Sequence, residues 1–315
     1  MILNKISTKN MSREEWLRLR KHSIGGSDAA AIIGLSKYAS PYSVWADKTG
    51  RVPEKEDNEA MRQGRDLEGY VAQRFCEETG KKVRRENFML FNPLYPFAHA
   101  DVDRVVIGEK ALLECKTTST LDLKQFKNCE FPEKYYVQCV HYLAVTGYDR
   151  IYLAVLVFGK GFFVYCLERD EEEIAALMAA EKEFMENYVY TDTAPPADGS
   201  EATTEALKVI YAEEQNDETV DLFGREGILK EYFLLKEQAD DIKKRMDEIK
   251  NTLKSDIKEC SYGSCAGYKV SYKTQVRENF SRKAFEQTYP TIDISPFFSA
   301  NVSRVMRINK VKQEI

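Results

Sequence analysis

His99-Ala100-Asp101-Val102-Asp103-Arg104-Val105-Val106 runs into a turn through Gly108-Glu109-Lys110 and then into Ala111-Leu112-Leu113-Glu114-Cys115-Lys116-Thr117. Both arms have strand-like alternation and a tight turn between them, the pattern of a β-hairpin. Glu114 and Lys116 are two residues apart on one arm, so they point to the same face. Asp103 lies where the first arm comes alongside, so the three can meet at one end of the hairpin. Two carboxylates and a lysine suit a Mg²⁺ site that cleaves phosphodiesters. Mg²⁺ takes hard oxygen ligands and keeps several waters, so one or two carboxylates can hold it. A lysine beside it can orient the attacking water or offset charge growing on the phosphate. The same residues also read as an exposed strand ion pair between Glu114 and Lys116. The flanks Val105-Val106-Ile107 and Leu112-Leu113 are of buried type, where charged residues seldom sit without a task.

Upstream, residues 12–22 read as a helix with Ser12 as N-cap and Glu15 completing a capping box. Gly25-Gly26 ends it, and Ser27 or Asp28 caps a second helix through Ile33. A helix start after a glycine turn offers free N–H groups to a phosphate, and Arg20 lies just before it. Pro41 to Thr49 is a short helix with Trp45 facing inward, and Arg51 to Asn58 is a charged loop. Ala60 to Thr79 is a long helix stopped by Gly80, with Glu68 one turn after Gly64. Strands are expected at 82–91, 95–107 and 111–118, and a loop from Asp122 to Pro132 could flank the site. Glu133 to Thr146 is a helix that places Gln138 and Tyr142 on one face. His141, on the same helix, is a weaker candidate. Strands at 150–158 and 161–168 turn around Gly159-Lys160-Gly161, and Asp170 to Tyr188 is an amphipathic helix.

These segments together resemble the PD-(D/E)XK nuclease core, and more narrowly the YqaJ-type phage recombinases related to phage lambda exonuclease. Beside the hairpin, the resemblance rests on Trp16-Leu17-Arg18-Leu19-Arg20-Lys21-His22-Ser23-Ile24-Gly25-Gly26-Ser27-Asp28, on Gly64-Arg65-Asp66-Leu67-Glu68, and on Tyr135-Tyr136-Val137-Gln138-Cys139-Val140-His141-Tyr142-Leu143. They occur in the family's order over roughly residues 12–190. The resemblance implies an α/β (α+β) fold of restriction-endonuclease-like type, with a central mixed sheet flanked by helices. It implies that Asp103, Glu114 and Glu68 hold metal, and that these with Lys116 and Gln138 form the catalytic set. It also implies that Arg20 and Ser27 grip a DNA phosphate. From the residues alone Ser27 could equally be only a helix cap, and Glu68 an exposed helix carboxylate. Asp103 fits the family's position, with Asp101 as the fallback ligand.

The chain has 315 residues and a net charge of -5, so it is not a basic DNA-coating protein, and any nucleic-acid contact must come from a local patch or channel. No stretch reads as a membrane span or signal core, and the expected location is cytoplasmic. Its seven cysteines are scattered, which fits free thiols in a reducing compartment. Only Cys260 and Cys265 are close together, so a cysteine-held iron–sulfur cluster of the kind found elsewhere in the superfamily is not expected.

Beyond residue 190 the composition changes. The expected organisation is a nuclease domain over 1–190, a linker over 191–221, and a C-terminal accessory region over 222–315 with a long helix and a β-hairpin. In the helix, Tyr232, Leu235, Ala239, Ile242, Met246, Ile249 and Leu253 form a heptad seam that could serve an internal helical hairpin, a packing arm or a homo-oligomer. Gly267 to Tyr272 and Val302 to Ile308 read as strands that pair over the helix.

The resemblance implies a Mg²⁺-dependent exonuclease (Mn²⁺ would also serve) that resects duplex DNA ends 5′ to 3′. The single strand would go to a phage annealing protein. Lambda-type members form rings of three around DNA; the helical region after residue 220 is an addition to that form. Two alternatives are an endonuclease or repair nuclease with the same centre, and a non-catalytic DNA-binding protein on this fold.

Overall fold

The structure is a computed structural model and describes residues 3–54, 57–119, 131–214, 218–299 and 303–310. Contacts divide the chain into two compact units, Met1–Glu213 with Ser303–Ile315, and Glu214–Val302.

The first unit begins with β1 (Asn4–Ser7), α1 (Arg13–Lys21), α2 (Gly26–Ile32), α3 (Pro41–Lys48) and α4 (Glu59–Thr79). β2 (Val83–Arg85), β3 (Phe88–Phe91), β4 (His99–Ala100), β5 (Arg104–Val106) and β6 (Ala111–Thr118) follow. α5 (Glu133–Thr146), β7 (Arg150–Val157), β8 (Gly161–Glu168), α6 (Glu171–Phe184) and α7 (Glu201–Ile210) complete it. Local chemistry sets many of these boundaries. Ser12 and Glu15 form the expected capping box of α1, and Asn58 caps α4 by accepting from the Met61 N–H. Gly80 and Gly147 end α4 and α5 in the left-handed conformation that glycine adopts without a Cβ penalty.

The central sheet has five strands in the order β2-β5-β6-β7-β8. All neighbours are antiparallel except β6 and β7, which run parallel with Glu114 beside Leu153 and Lys116 beside Val155. A parallel pair needs a crossover, and α5 lies on it. Because side chains alternate along β6, its two faces bury against different helices. Leu112 joins a core with Val137, Val140 and Leu143 of α5 and with Ile174 and Leu177 of α6. Ala111 and Leu113 join a second core with Val71, Ala72 and Phe75 of α4. The molecule is therefore an α/β fold with a central mixed sheet flanked by helices.

Several details depart from the sequence expectations. The long strands expected at 82–91 and 95–107 are each broken. The chain leaves the five-stranded sheet after β2 to form a three-stranded sheet, β1-β3-β4, and returns through residues 101–103 into β5. Asp101 and Asp103 therefore lie in the break between strands, not on one strand face. β1 had no strong signal in the sequence; it forms by pairing with β3. Inside the expected linker, α7 is a helix capped by Ser200, with Thr203 and Ala206 buried and the Thr203 hydroxyl 2.8 Å from that of Ser40. The loop expected from Asp122 lies, up to residue 130, outside the described residues. No helix among the described residues is long and apolar enough to cross a membrane. The six cysteines described are free.

The second unit contains α8 (Glu226–Ile257), β9 (Tyr262–Cys265), β10 (Tyr268–Ser271) and α9 (Arg282–Thr288). On α8, the seam residues Tyr232, Leu235, Ile242, Met246, Ile249 and Leu253 are exposed. The expected partner of the 267–272 strand was the 302–308 segment. The structure pairs β10 with β9 instead, because Ala266 and Gly267 take positive φ and close a tight turn between them. Residues 303–308 form no strand; they group with the first unit, where Arg304 donates to the Tyr211 carbonyl at 3.3 Å.

Candidate active site

The β5–β6 hairpin and α5 bring five of the singled-out side chains together: Asp103, Glu114, Lys116, Gln138 and Tyr142. Lys116 Nζ lies 2.7 Å from Glu114 Oε1. The same oxygen accepts from Gln138 Nε2 at 2.8 Å, and Gln138 Nε2 lies 3.0 Å from the Tyr142 hydroxyl. Asp103 reaches across the hairpin, where its Oδ2 accepts the Cys115 N–H at 2.7 Å. Glu114 is buried, and its Oε2 has no hydrogen-bond partner among the described residues.

These charges are held against a solvation penalty. Burial, and then the charge of Glu114, pushes the Asp103 carboxyl well above the usual range. Burial also raises Glu114, with Lys116 opposing. For Lys116, burial works against the charge, but Glu114 and Asp103 outweigh it and hold the ammonium above the usual lysine range. Two neighbouring carboxylates, Glu114 buried and Asp103 half-buried, with one oxygen unpartnered among the described residues, call for a cation. Asp103 and Glu114 thus fit a hard divalent ion that keeps several waters.

Glu68 comes from α4, on the opposite side of the sheet from Gln138. It is held by Arg104 and by Arg85, whose Nη2 is 3.2 Å from Glu68 Oε1. Arg104 also donates to the Asp103 carbonyl at 2.8 Å. With Glu68 turned to these arginines, no group of three His, Cys, Asp or Glu side chains among the described residues is placed to hold a metal. Gly64 shows no tight approach among the described residues either: a Cβ there would meet Thr117 Oγ1 at 3.9 Å.

Arg20 and Ser27 form a second cluster. Arg20 Nη2 donates to Ser27 Oγ at 2.8 Å, and Nη1 donates to Asp101 Oδ2 at 2.9 Å. The guanidinium stacks over Trp16 at 4.5 Å. Asp101, the fallback ligand, is therefore Arg20's partner. Ser27 does not cap α2: Gly25 is the N-cap, and its N–H donates to the Asp28 carboxylate at 3.0 Å. Ser27 is left exposed beside Arg20.

Sequence reasoning missed the support beneath this cluster. Lys48, almost wholly buried, places Nζ 2.7 Å from Asp28 Oδ2 and 2.8 Å from the Arg20 carbonyl. The Lys48 and Arg20 charges overcome burial and lower the Asp28 carboxyl to about 2. Nothing local to Lys48 signals this role. The glycines did carry a signal, read only as a helix break. A Cβ at Gly25 would come within 2.9 Å of His99 Nε2 and 3.0 Å of Arg20 Nη2. One at Gly26 would come within 2.7 Å of Tyr142 Cε1 and 2.9 Å of Gln138 Cγ. The two glycines let α2 press against α5, linking both clusters. His141 belongs to neither: buried, it pairs with Glu181 at 2.8 Å and bonds the His99 carbonyl at 2.8 Å.

Residues 15–149 match the model of the YqaJ-like viral recombinase domain. The uncharacterized protein YqaJ of Bacillus subtilis (strain 168) is 43% identical over 287 residues, 90% of either chain. The chain belongs to the YqaJ-like viral recombinase family. The matched domain region contains both clusters, from Trp16 and Arg20 through Tyr142. Among solved structures, this YqaJ-like chain is similar to an alkaline exonuclease from Laribacter hongkongensis, with a TM-score of 0.47 and 21% identity, over 57% of this chain and 93% of that one. It is also similar to a phage-related exonuclease from Haemophilus somnus 129PT, with a TM-score of 0.41 and 14% identity, over 56% of this chain and 100% of that one.

Proposed function

We propose that this YqaJ-like protein is a metal-dependent deoxyribonuclease that resects duplex DNA ends, 5′ to 3′, in phage or prophage recombination. The observation that carries the reading is the half-buried Asp103 beside the buried Glu114, with Glu114 Oε2 unpartnered among the described residues and Lys116 2.7 Å from Oε1. Asp103 and Glu114 would hold Mg²⁺, or Mn²⁺ in its place, and Glu68 would join them as a third carboxylate only on leaving Arg104 and Arg85. Bound there, the ion supplies Lewis acidity toward a phosphodiester. Lys116, fully protonated at neutral pH, orients the attacking water and offsets the charge that grows on the phosphate. Gln138 fixes the Glu114 carboxylate from the far side. Arg20 and Ser27 would present guanidinium and hydroxyl donors to a phosphate, and Asp101 and Trp16 fix the plane of the guanidinium. A phosphate gripped there would register the end of the strand, which favours cutting from an end. The family's description as viral recombinases supports placing the single-stranded product with a phage annealing protein.

The test is digestion of a linear duplex carrying one labelled, 5′-phosphorylated end, with and without Mg²⁺. Wild type should release labelled mononucleotides only with the metal, and Lys116→Ala should lose about 10²–10³-fold in rate. Cutting of closed circles would make the enzyme an endonuclease. DNA binding without cleavage of either substrate would remove the catalytic reading.

A further inference from the structure

The β9–β10 ribbon of the second unit has one face committed and one face free. Directly opposed residues in an antiparallel pair share a face, and here Ser271 faces Tyr262 and Lys269 faces Ser264. Gly263 and Val270 lie on the other face. Gly263 packs that face on the end of α8, where a Cβ would come within 3.2 Å of Ile257 Cγ1. The free face carries Tyr262, Ser264, Lys269 and Ser271, and Lys273 extends it. Lys269 Nζ lies 4.7 Å and Lys273 Nζ 4.5 Å from the centre of the Tyr262 ring. Tyr262 is 49% exposed, and Tyr268 at the turn is 78% exposed. The free face carries no carboxylate, and neither lysine forms an ion pair among the described residues. In a chain of net charge -5, this is a local reversal of sign.

We infer that this face of the hairpin binds single-stranded nucleic acid, with a base stacked on Tyr262 and flanking phosphates on Lys269 and Lys273. The chemistry is specific to an unpaired strand. The two ammonium groups now over the ring would swing to the phosphates as a base takes the ring face, giving the base a stacking surface and its backbone two counter-charges, and the serine hydroxyls add donors. A four-residue ribbon spans roughly 13 Å, room for about two nucleotides. A base in a duplex cannot reach the ring, so double-stranded DNA would use the lysines alone. The site rests on the nuclease reading for its biological ligand: the strand left by resection would have a place on the enzyme outside the cleavage centre. The ring also explains the spacing of the lysines. Lys269 and Lys273 are four apart in the sequence, yet both reach the same tyrosine because the chain continues past β10, where the Tyr272 N–H bonds the Ser261 carbonyl at 3.0 Å.

The experiment titrates the full-length protein, in chelator, into a fluorescein-labelled oligo-dT and, separately, a blunt duplex, reading anisotropy. Tyr262→Ala should weaken oligo-dT binding about tenfold and leave duplex binding unchanged. Lys269→Gln/Lys273→Gln should lower the salt dependence of oligo-dT binding by roughly 0.7 per lysine in log K against log salt. A 5-iododeoxyuridine oligonucleotide should photocross-link to the peptide that contains Tyr262. Wild-type affinity in Tyr262→Ala, equal losses for oligo-dT and duplex, or cross-links only outside residues 258–277 would each overturn the inference. Mononucleotide release from duplex ends is scored in parallel with Mg²⁺. If release is absent while oligo-dT binding depends on Tyr262, the nuclease reading falls and the hairpin site stands. The converse result removes the hairpin site alone. Heat melts of both variants show that the ribbon, whose substituted side chains face solvent, still folds.

Discussion

Gln138 donates to Glu114 at 2.8 Å, so a helix on the crossover between two parallel strands fixes the carboxylate on the first of them. Gln138 shares its amide with Tyr142, whose hydroxyl burial and the Glu114 charge keep protonated. Gln138→Met keeps the bulk and removes the donor. The expected result is a roughly 10–100-fold fall in kcat or in metal affinity, with KM for DNA little changed. Steady-state digestion over a Mg²⁺ series checks it.

Asp103 and Glu114 have raised carboxyl pKa values in the metal-free protein, first through burial. A carboxyl raised on folding binds more protons in the native than in the unfolded chain between its two pKa values. Stability therefore falls as pH rises through that window. In chelator, wild type should lose melting temperature from the acid side of the carboxylate range toward neutral, relative to Glu114→Gln. Mg²⁺ at about a hundred times its dissociation constant should return about 2.7 kcal/mol to wild type and much less to Glu114→Gln. Equal Mg²⁺ shifts in both proteins would place the ion elsewhere.

Asp28 has the opposite sign. Its pKa falls from 3.8 to about 2, because Lys48 and Arg20 together outweigh burial. The resulting stabilisation, about 2 kcal/mol, is fully present above the unfolded value and is lost as pH falls through 3.8 toward 2. Urea midpoints of wild type and Asp28→Asn should therefore draw together as pH falls from about 4 to about 2. A gap that stays constant would show that the Lys48–Asp28 contact does not set the titration.

Gly26→Ala puts a methyl group where Tyr142 Cε1 would be 2.7 Å away and Gln138 Cγ 2.9 Å away. Neither neighbour is a loose surface tip; Tyr142 is buried. The expected loss is about 1–3 kcal/mol of stability, measured by denaturant melts. Hydrolysis should fall at temperatures where the variant is still folded, because Gln138 must shift.

The hairpin from Asp103 to Lys116 was legible because its alternation and its turn are local signals, and so was the Ser12–Glu15 capping box. The convergence of Gln138 on Glu114 was visible only through the motif order, since the 24-residue separation leaves no periodic trace. Three kinds of feature escaped. Where the chain switches sheets at residues 101–103, Asp101-Val102-Asp103 continues the alternation and hides the break, while the polar run Arg84-Arg85-Glu86-Asn87 that separates β2 from β3 was read through as strand. Where charges choose partners, composition is silent: Glu68 had basic and acidic neighbours alike, and its pairing with Arg104 and Arg85 follows from β2 lying against β5. α7 was masked by a linker-like composition that Ser200 capping and Thr203 burial override.

The parallel pairing of β6 with β7 bears on when the protein can act during its own synthesis. Glu114 and Lys116 leave the ribosome well before Arg150–Val157, the strand that flanks them along the whole of β6. Gln138 also comes later, on the intervening helix. A nascent chain that stops short of β7 holds every charged residue of the candidate centre but lacks the arrangement that buries and pairs them. On the nuclease reading, a chain stopped before residue 157 would carry the charges of the centre without the geometry to cut DNA.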